Sequence, residues 1–201
     1  MESTVCFRDF EERDIDFVYR CKNNEKLWEH TVGEFHEFSY AEAVEWVHAC
    51  MRDDLSYKFW AICKNDETGE IVGWNSISDI DYEKRSATAY GVVIGNPEYN
   101  DGIAAIESAI FISHYVFEVL NFDVLNARYL ADYYICEYNL LFAKISKIEK
   151  NAVCKKGKYH DVVYTSSTKK DYFSNLALGY NDVDVVIKKL VQFRKTKMIN
   201  Y

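Results

Sequence analysis

Proline is almost absent from this chain: Pro97 is the only one in 201 residues, and there are just eight glycines. With so few chain breakers there is no linker composition and no marked boundary, so one folded unit is expected. No apolar run approaches the roughly 18–20 residues that span a bilayer. The opening Met1-Glu2-Ser3-Thr4-Val5 also lacks the basic-then-apolar pattern of a secretory signal. A protein of the cytoplasm with no membrane partner is the expectation. Six cysteines are scattered (Cys6, Cys21, Cys50, Cys63, Cys136, Cys154) without a C-x-x-C pair, which argues against a structural zinc site and a disulfide framework. They read as small core residues in a reducing compartment. The five histidines have no ligand-like spacing, so no metal is expected. Basic residues are in deficit, 24 Lys and Arg against 32 Asp and Glu, the reverse of a general nucleic-acid binder. The resulting net charge of −8 suits a cationic amine partner or serves solubility alone.

What the chain does have is apolar material, 49% of its residues, enough to bury a sizeable core. Thr4–Phe10 reads as a first strand and Glu11–Cys21 as a helix with acids at its front. The segment Lys22–Phe38 is irregular, acidic and aromatic. Ser39-Tyr40-Ala41-Glu42 then fits a capping box that starts a helix burying Ala43, Val47 and Cys50. Tyr57–Cys63 and Glu70–Ile80 read as strands around the turn Asn65–Gly69, and a third strand ends at Gly95. A helix from about Tyr133 to Lys147 is expected next, then a hairpin turning at Lys155–Lys158 with Tyr159–Ser166 as its second strand. Asp182–Lys197 has apolar residues at helical spacing and reads as an added C-terminal helix.

The densest stretch is Ser86–Leu130. It comprises the strand Ala89–Gly95, the loop Asn96–Gly102, an apolar helix from about Ile103 to Val119, and the strand Val124–Leu130. Strand, short loop and helix in that order aim several free backbone N–H groups at one point, a place where proteins hold phosphate. Three antiparallel strands followed by strand–helix–strand give an α/β (α+β) fold with a mixed, largely antiparallel, twisted sheet flanked by helices.

This order of elements resembles the GNAT superfamily of acyl-CoA N-acyltransferases, in particular the branch of ribosomal-protein N-terminal and spermidine acetyltransferases. The resemblance rests on Phe7-Arg8-Asp9-Phe10 with Glu12-Arg13-Asp14, on Glu70-Ile71-Val72-Gly73, on Tyr90-Gly91-Val92-Val93-Ile94-Gly95, and on Gly157–Tyr164. It implies a GNAT-like domain over residues 1–173 with a C-terminal helical extension, 174–201, packed on it. It also implies transfer of an acetyl group from acetyl-CoA to a primary amine by direct attack in a ternary complex. The acceptor would be a small-molecule amine or a peptide N-terminus, and a homodimer is left open. The alternative is a catalytically degenerate GNAT-like domain that binds CoA or regulates.

By position in the family, Val92, Val93 and Ile94 would pair with the amide arm of CoA. The backbone of Asn100, Asp101, Gly102, Ile103 and Ala104 would cradle its pyrophosphate. The family's loop reads Gln/Arg-x-x-Gly-x-Gly/Ala, whereas here Tyr99 stands where the basic residue belongs, and Glu98 and Asp101 bring carboxylates. Asp101 is alternatively a plain helix cap. Asp79 and Asp81, leaving the long strand, are candidates for the general base, or residues of a hydrated turn. Tyr138, with Tyr133 and Tyr134 nearby, is the candidate for the hydroxyl that protonates the leaving thiolate. Trp28, Glu29 and His36 lie in the segment that matches the acceptor loop, where aromatic faces and carboxylates suit an ammonium. The same segment is alternatively an acidic surface loop pinned by aromatics. The lysines Lys144, Lys147, Lys150, Lys155, Lys156 and Lys158 are either near the CoA ribose phosphate or on a solvated helix end and hairpin. Adjacent on one strand, His160 and Asp161 face opposite sides and form no dyad.

Overall fold

Alternation decides the centre of the fold. In β2 (Lys58–Lys64), Trp60 and Ile62 turn to one face, Ala61 and Cys63 to the other, and all four are buried. A sheet apolar on both faces needs helices on both. The computed structural model describes residues 2–52, 54–132 and 139–199. It contains a seven-stranded sheet in the order β1 (Val5–Arg8), β2, β3 (Ile71–Asp81), β4 (Ser86–Ile94), β5 (Val124–Leu130), β7 (Lys158–Thr168), β6 (Lys144–Lys155). Only β4 and β5 run parallel; every other pairing is antiparallel. One face carries α1 (Ile15–Lys22) and α2 (Tyr40–Cys50), packed around Val18, Cys21, Val47, Cys50 and Trp74. The other carries α3 (Ile103–His114) and α4 (Lys169–Ala177), around Ile112, Val116, Phe117, Leu125 and Tyr172. α5 (Val183–Ile199) lies on α3 through Val186 and Ile106.

The starts of these helices follow from local chemistry. Ser39 accepts from the Glu42 N–H while Glu42 accepts from the Ser39 N–H, the reciprocal box that opens α2. Ahead of α1, Glu12–Asp14 forms a short 3-10 turn rather than the first turn of the expected helix. Asp14, fully buried there, takes a bidentate pair from Arg8 at 2.7 and 2.8 Å and the Glu11 N–H at 2.9 Å, so one carboxylate binds β1 to the helix. Buried Glu107 of α3 does the same from the other face, accepting from the Thr4 and Val5 N–H groups.

Two expectations change. The helix over Tyr133–Lys147 does not reach its end: Asn139 begins a turn closed by the Phe142 and Ala143 N–H groups, and Lys144–Lys147 already pairs with β7 as a strand. Lysine every third residue with Ile145 and Ile148 between imitates helical spacing, but the residues lie on the outer edge of the sheet, where one side has no neighbour to bury. The rest of that segment, 133–138, lies outside the described residues. The helix that begins at Ile103 widens into a π-helix over Tyr115–Val119, which keeps Val116 and Phe117 buried. α4 was not anticipated, although Thr168 and Asp171 form a capping box. The hairpin turn between Lys155 and Lys158 is observed as expected.

The feature that positions the site is a parting of strands. β4 pairs with β5 only over Ser86–Ala89 and Val124–Ala127. Beyond that, β4 stays with β3 up to Ile94↔Gly73, and β5 stays with β7 up to Leu130↔Val162. Between the rungs Ile77↔Ala89 and Asn75↔Val92, Tyr90 and Gly91 face the single residue Ser76, a bulge with Gly91 at φ +84°. The Ser76 hydroxyl donates to the Tyr90 carbonyl at 2.9 Å and holds the bulge in place. Gly73, on the last rung, is pressed against β4: a Cβ there would lie 2.2 Å from the Val93 carbonyl oxygen. We expect Gly73→Ala to destabilise the fold by about 3 kcal/mol, at the upper end of overpacking costs. Urea denaturation with an unchanged slope would check it, and a loss under about 0.5 kcal/mol would contradict it.

Candidate active site

The free edge of β4, residues Val92–Ile94, faces the gap left by β5 and runs straight into the loop. Asn96 accepts from the Glu98 N–H, Pro97–Tyr99 makes a 3-10 turn, and Gly102 at φ +93° starts α3. A cavity of about 100 Å³ opens here, lined by Val92, Val93, Ile94, Tyr99, Asn100, Gly102 and Ala105 from this unit. Its remaining walls are Lys26, Leu27 and His30, contributed by the segment between α1 and α2. Five of the eight residues assigned to the cofactor are therefore together in one cavity wall: Val92, Val93, Ile94, Asn100 and Gly102. Asp101, Ile103 and Ala104 adjoin them in the chain.

The loop donors are unequally available. The Asn100 N–H is taken by the Pro97 carbonyl at 3.2 Å, and the Ile103 N–H by the Asp101 carboxylate at 2.9 Å. Asp101, one residue ahead of the N-cap Gly102, thus holds the first helical N–H with its side chain. The N–H groups of Gly102, Ala104 and Ala105 have no hydrogen-bond partner among the described residues. They point, with the positive end of the helix dipole, toward whatever sits at the mouth.

The segment from Asn23 to Phe38 is irregular yet tied at many points. The Asn23 amide donates to the Phe38 carbonyl and accepts from the Phe38 N–H, closing the segment at its base. From the β6–β7 hairpin, Lys155 donates to the Trp28 and Gly33 carbonyls, and Lys156 pairs with Glu29. Lys22, only 7% exposed, has its ammonium within 4.2–5.6 Å of four ring centres: Trp46, Phe38, Trp28 and Trp74. It has no carboxylate partner among the described residues, and burial pushes it down to about 8. The Cys21 and Cys50 thiols beside it are pushed up to about 12 by burial and stay neutral.

The acceptor candidates are all in this segment. Trp28 holds a cation, but one from its own chain, Lys22. Glu29 is bound by Lys156, which keeps its carboxyl below the usual range. His36 is exposed, and its ring lies tilted at 33° to that of Phe38, 4.7 Å between centres. The base candidates sit elsewhere. Asp81 accepts from the Lys84 N–H at 2.8 Å and pairs with the Lys84 ammonium at 2.7 Å, closing the β3–β4 turn; the same contacts hold its carboxyl low. Asp79, exposed and at φ +49°, accepts from Ser78. Asp79 and Asp81 lie six and eight residues along the strand from Gly73, about 20 and about 26 Å at a rise of about 3.3 Å per residue. Tyr138, like Tyr133 and Tyr134, lies outside the described residues.

A second carboxylate–imidazole pair was not legible in the chain. His160 Nδ1 lies 2.9 and 3.0 Å from the two carboxylate oxygens of Asp132, and Lys158 adds a third contact at 3.1 Å. Extending the β5–β7 register two residues past Leu130↔Val162 sets Asp132 across from His160, a relation visible only once that pairing is known. The neighbouring Asp161 instead binds Lys150 and the Asn151 N–H. Lys144 and Lys147 are paired too, with Asp171 and Glu149. Among the described residues no group of three or more His, Cys, Asp or Glu is placed to hold a metal ion. No described helix is long and apolar enough to cross a membrane.

The family described as an acetyltransferase (GNAT) domain matches residues 4–132, which includes the parted strands, the loop and the segment above it. The chain belongs to the GNAT acetyltransferase family. As a GNAT protein it is an acyl-CoA-dependent N-acetyltransferase. Among solved structures, the GNAT chain is similar to spermidine N-acetyltransferase from Vibrio cholerae in complex with CoA and spermine. The TM-score is 0.74 at 19% identity, covering 86% of this chain and 99% of that one. A spermidine/spermine N-acetyltransferase of the same organism, in complex with manganese ions, gives 0.68 at 19% identity, covering 86% and 97%. Likeness at such identity speaks for the fold. No curated protein matches the sequence.

The caged Lys22 yields a test of sign. A lysine pushed down in the folded state favours the neutral form there, so folding is penalised below about pH 8, and the penalty fades as pH rises toward the unfolded value. Near pH 7 the cost is on the order of 2–3 kcal/mol before the ring contacts offset part of it. Lys22→Met is expected to be more stable than the native chain near pH 7, with the gap narrowing as pH rises from about 8 to 10. Chemical denaturation of both proteins across that range would check it; a gap independent of pH would contradict it.

Proposed function

We propose that this GNAT protein transfers the acetyl group of acetyl-CoA to a primary amine by direct attack in a ternary complex. The observation that carries this reading is the free edge of β4 leading into unpaired N–H groups at the start of α3, in one cavity. The edge offers Val92–Ile94 backbone groups to the amide arm of the donor. Gly102, Ala104 and Ala105 offer N–H groups to its pyrophosphate. Orientation supplies most of the catalysis: the thioester is held still while the neutral amine approaches, and the tetrahedral oxyanion is met by fixed backbone donors. The amine loses one proton, the C–S bond breaks, and the thiolate leaves with a proton from a hydroxyl donor, for which Tyr138 is the candidate.

The acceptor is met by the 23–38 segment, whose Lys26, Leu27 and His30 face the cavity. Polyamines are the first class to try, because the V. cholerae neighbour is in complex with spermine and because the net charge of −8 attracts cations. For the proton, Asp79 is the better of the two strand-end carboxylates, since Asp81 is neutralised by Lys84. A cytoplasmic location suits the free cysteines at positions 6, 21, 50, 63 and 154.

Acetyl-CoA at a hundred times its dissociation constant is expected to stabilise the fold by about 2.7 kcal/mol, read as a rise in melting temperature. Thiol release from acetyl-CoA with polyamines, aminoglycosides and N-terminal peptides identifies the acceptor. Binding without turnover on any of them would favour a CoA-binding module over an enzyme. Asp101→Asn keeps the cap on Ile103 but removes a charge beside the phosphates. CoA is expected to bind about fivefold tighter, close to 1 kcal/mol at a surface dielectric. Titration calorimetry checks it, and unchanged or weaker affinity would place the phosphates away from α3.

A further inference from the structure

We propose that Lys26, outside the phosphate loop, supplies the cationic contact to the CoA phosphates that the loop itself lacks, and so ties donor binding to the acceptor segment. This rests on the CoA reading above and adds a side chain and a coupling to it. The loop carries Tyr99 where a basic residue is expected, and its charged side chains, Glu98 and Asp101, are acids. Three unpaired N–H groups and a helix dipole give partial positive charge, yet a pyrophosphate with a nearby ribose phosphate brings several full negative charges. Backbone alone leaves them undercompensated.

Lys26 stands on the opposite wall of the same cavity, facing Val92–Ile94, Asn100 and Gly102. It sits in the 3-10 turn Glu25–Trp28, whose start is fixed by Asn24 accepting the Lys26 N–H at 3.2 Å. Two residues on, Trp28 is locked against Lys22 and its carbonyl is held by Lys155, so the backbone that presents Lys26 is anchored. The ammonium of Lys26 forms no ion pair among the described residues. The six lysines of the β6–β7 hairpin, Lys156 in its turn among them, contrast with it. Lys144, Lys147, Lys150, Lys156 and Lys158 each hold a carboxylate, and Lys155 holds two carbonyls. Glu29, the carboxylate whose charge Lys26 feels, is already bound by Lys156. A lysine beside the proposed anion site and without a counter-charge is a compact cation suited to phosphate.

The coupling follows from where Lys26 is. A phosphate held by α3 on one side and by Lys26 on the other bridges the loop to the segment that faces the acceptor. Donor binding then clamps that already anchored segment against the loop before the amine arrives.

The test compares the native protein with Lys26→Ala and Lys26→Arg, using CoA by calorimetry and two acyl donors by kinetics: acetyl-CoA and S-acetylpantetheine, which has no pyrophosphate or ribose phosphate. Lys26→Ala is expected to weaken CoA binding about tenfold and to raise KM for acetyl-CoA alike. It should leave kcat/KM with S-acetylpantetheine unchanged, and Lys26→Arg should restore most of the loss. Repeating the titration with dephospho-CoA, which lacks the ribose phosphate, assigns the contact: a loss that persists puts Lys26 at the pyrophosphate, one that vanishes puts it at the ribose phosphate. Hydrogen exchange over residues 23–38 should slow on CoA binding in the native protein and much less in Lys26→Ala. Equal CoA affinity in native and Lys26→Ala proteins would overturn the proposal, as would an equal loss with both donors. No CoA binding by the native protein is a separate outcome, and it would fell the reading beneath.

Discussion

Two parallel strands that part after four rungs leave a row of backbone groups on each side with nothing to pair with. Here the parting is forced by an extra residue in β4. The bulge at Tyr90 and Gly91 turns the strand away from β5 without loosening it from β3, because Ser76 holds the Tyr90 carbonyl and Gly73 lets Val93 approach closely. Everything the site needs follows from that turn. The free edge of Val92–Ile94, the mouth between β4 and β5, and the delivery of the chain onto the start of α3 are one geometrical event. An antiparallel neighbour in place of β5 would follow β4 along its length and fill the gap.

The opposite wall is built on a different principle. The segment between α1 and α2 has little regular structure and few apolar residues of its own, so the backbone entropy of ordering it is met by contacts from outside. Internal lysines supply most of them. Lys22 is drawn into a cage of rings from α2, β3 and the segment itself, and Lys155 and Lys156 reach across from the hairpin. A buried ammonium without a counter-charge is costly, and an apolar side chain of the same length would fill the space more cheaply. That cost is consistent with a segment shaped for holding cations rather than for stability alone.

Much of the frame was legible in the chain. Strand alternation at Tyr57–Cys63, the box at Ser39 and Glu42, the hairpin turn before Gly157 and the run from Ser86 to Leu130 all express local rules, and the structure has elements at each. The first residues of β6, Lys144–Lys147, were hidden because lysines alternate with Ile145 and Ile148 at a spacing that also suits a helix. α4 was announced by Thr168 and Asp171, a signal present but not used. The site was legible only in its local half. Loop, helix start and free strand are neighbours in sequence, whereas Lys26 meets Asn100 and Gly102 across more than seventy residues, and Asp132 finds His160 only through a strand register. Aromatic faces and carboxylates in the 23–38 segment do suit ammonium groups, but Trp28 and Glu29 already hold lysines of the same chain.

The outer strand β6 has a consequence beyond its part in the hairpin. Among the described residues no strand pairs with its far side, and such an edge is the template on which other strands add and sheets grow into aggregates. Along it lie Lys144, Lys147, Lys150 and Lys155, and the ladder to β7 slips between Ile145 and Lys147 and again between Glu149 and Val153. A second copy approaching edge to edge would meet solvated ion pairs on a strand that is not straight. The lysines that read as a phosphate patch thus line the sheet's open border instead, setting polar, charge-paired groups beside exposed Ile145 and Ile148.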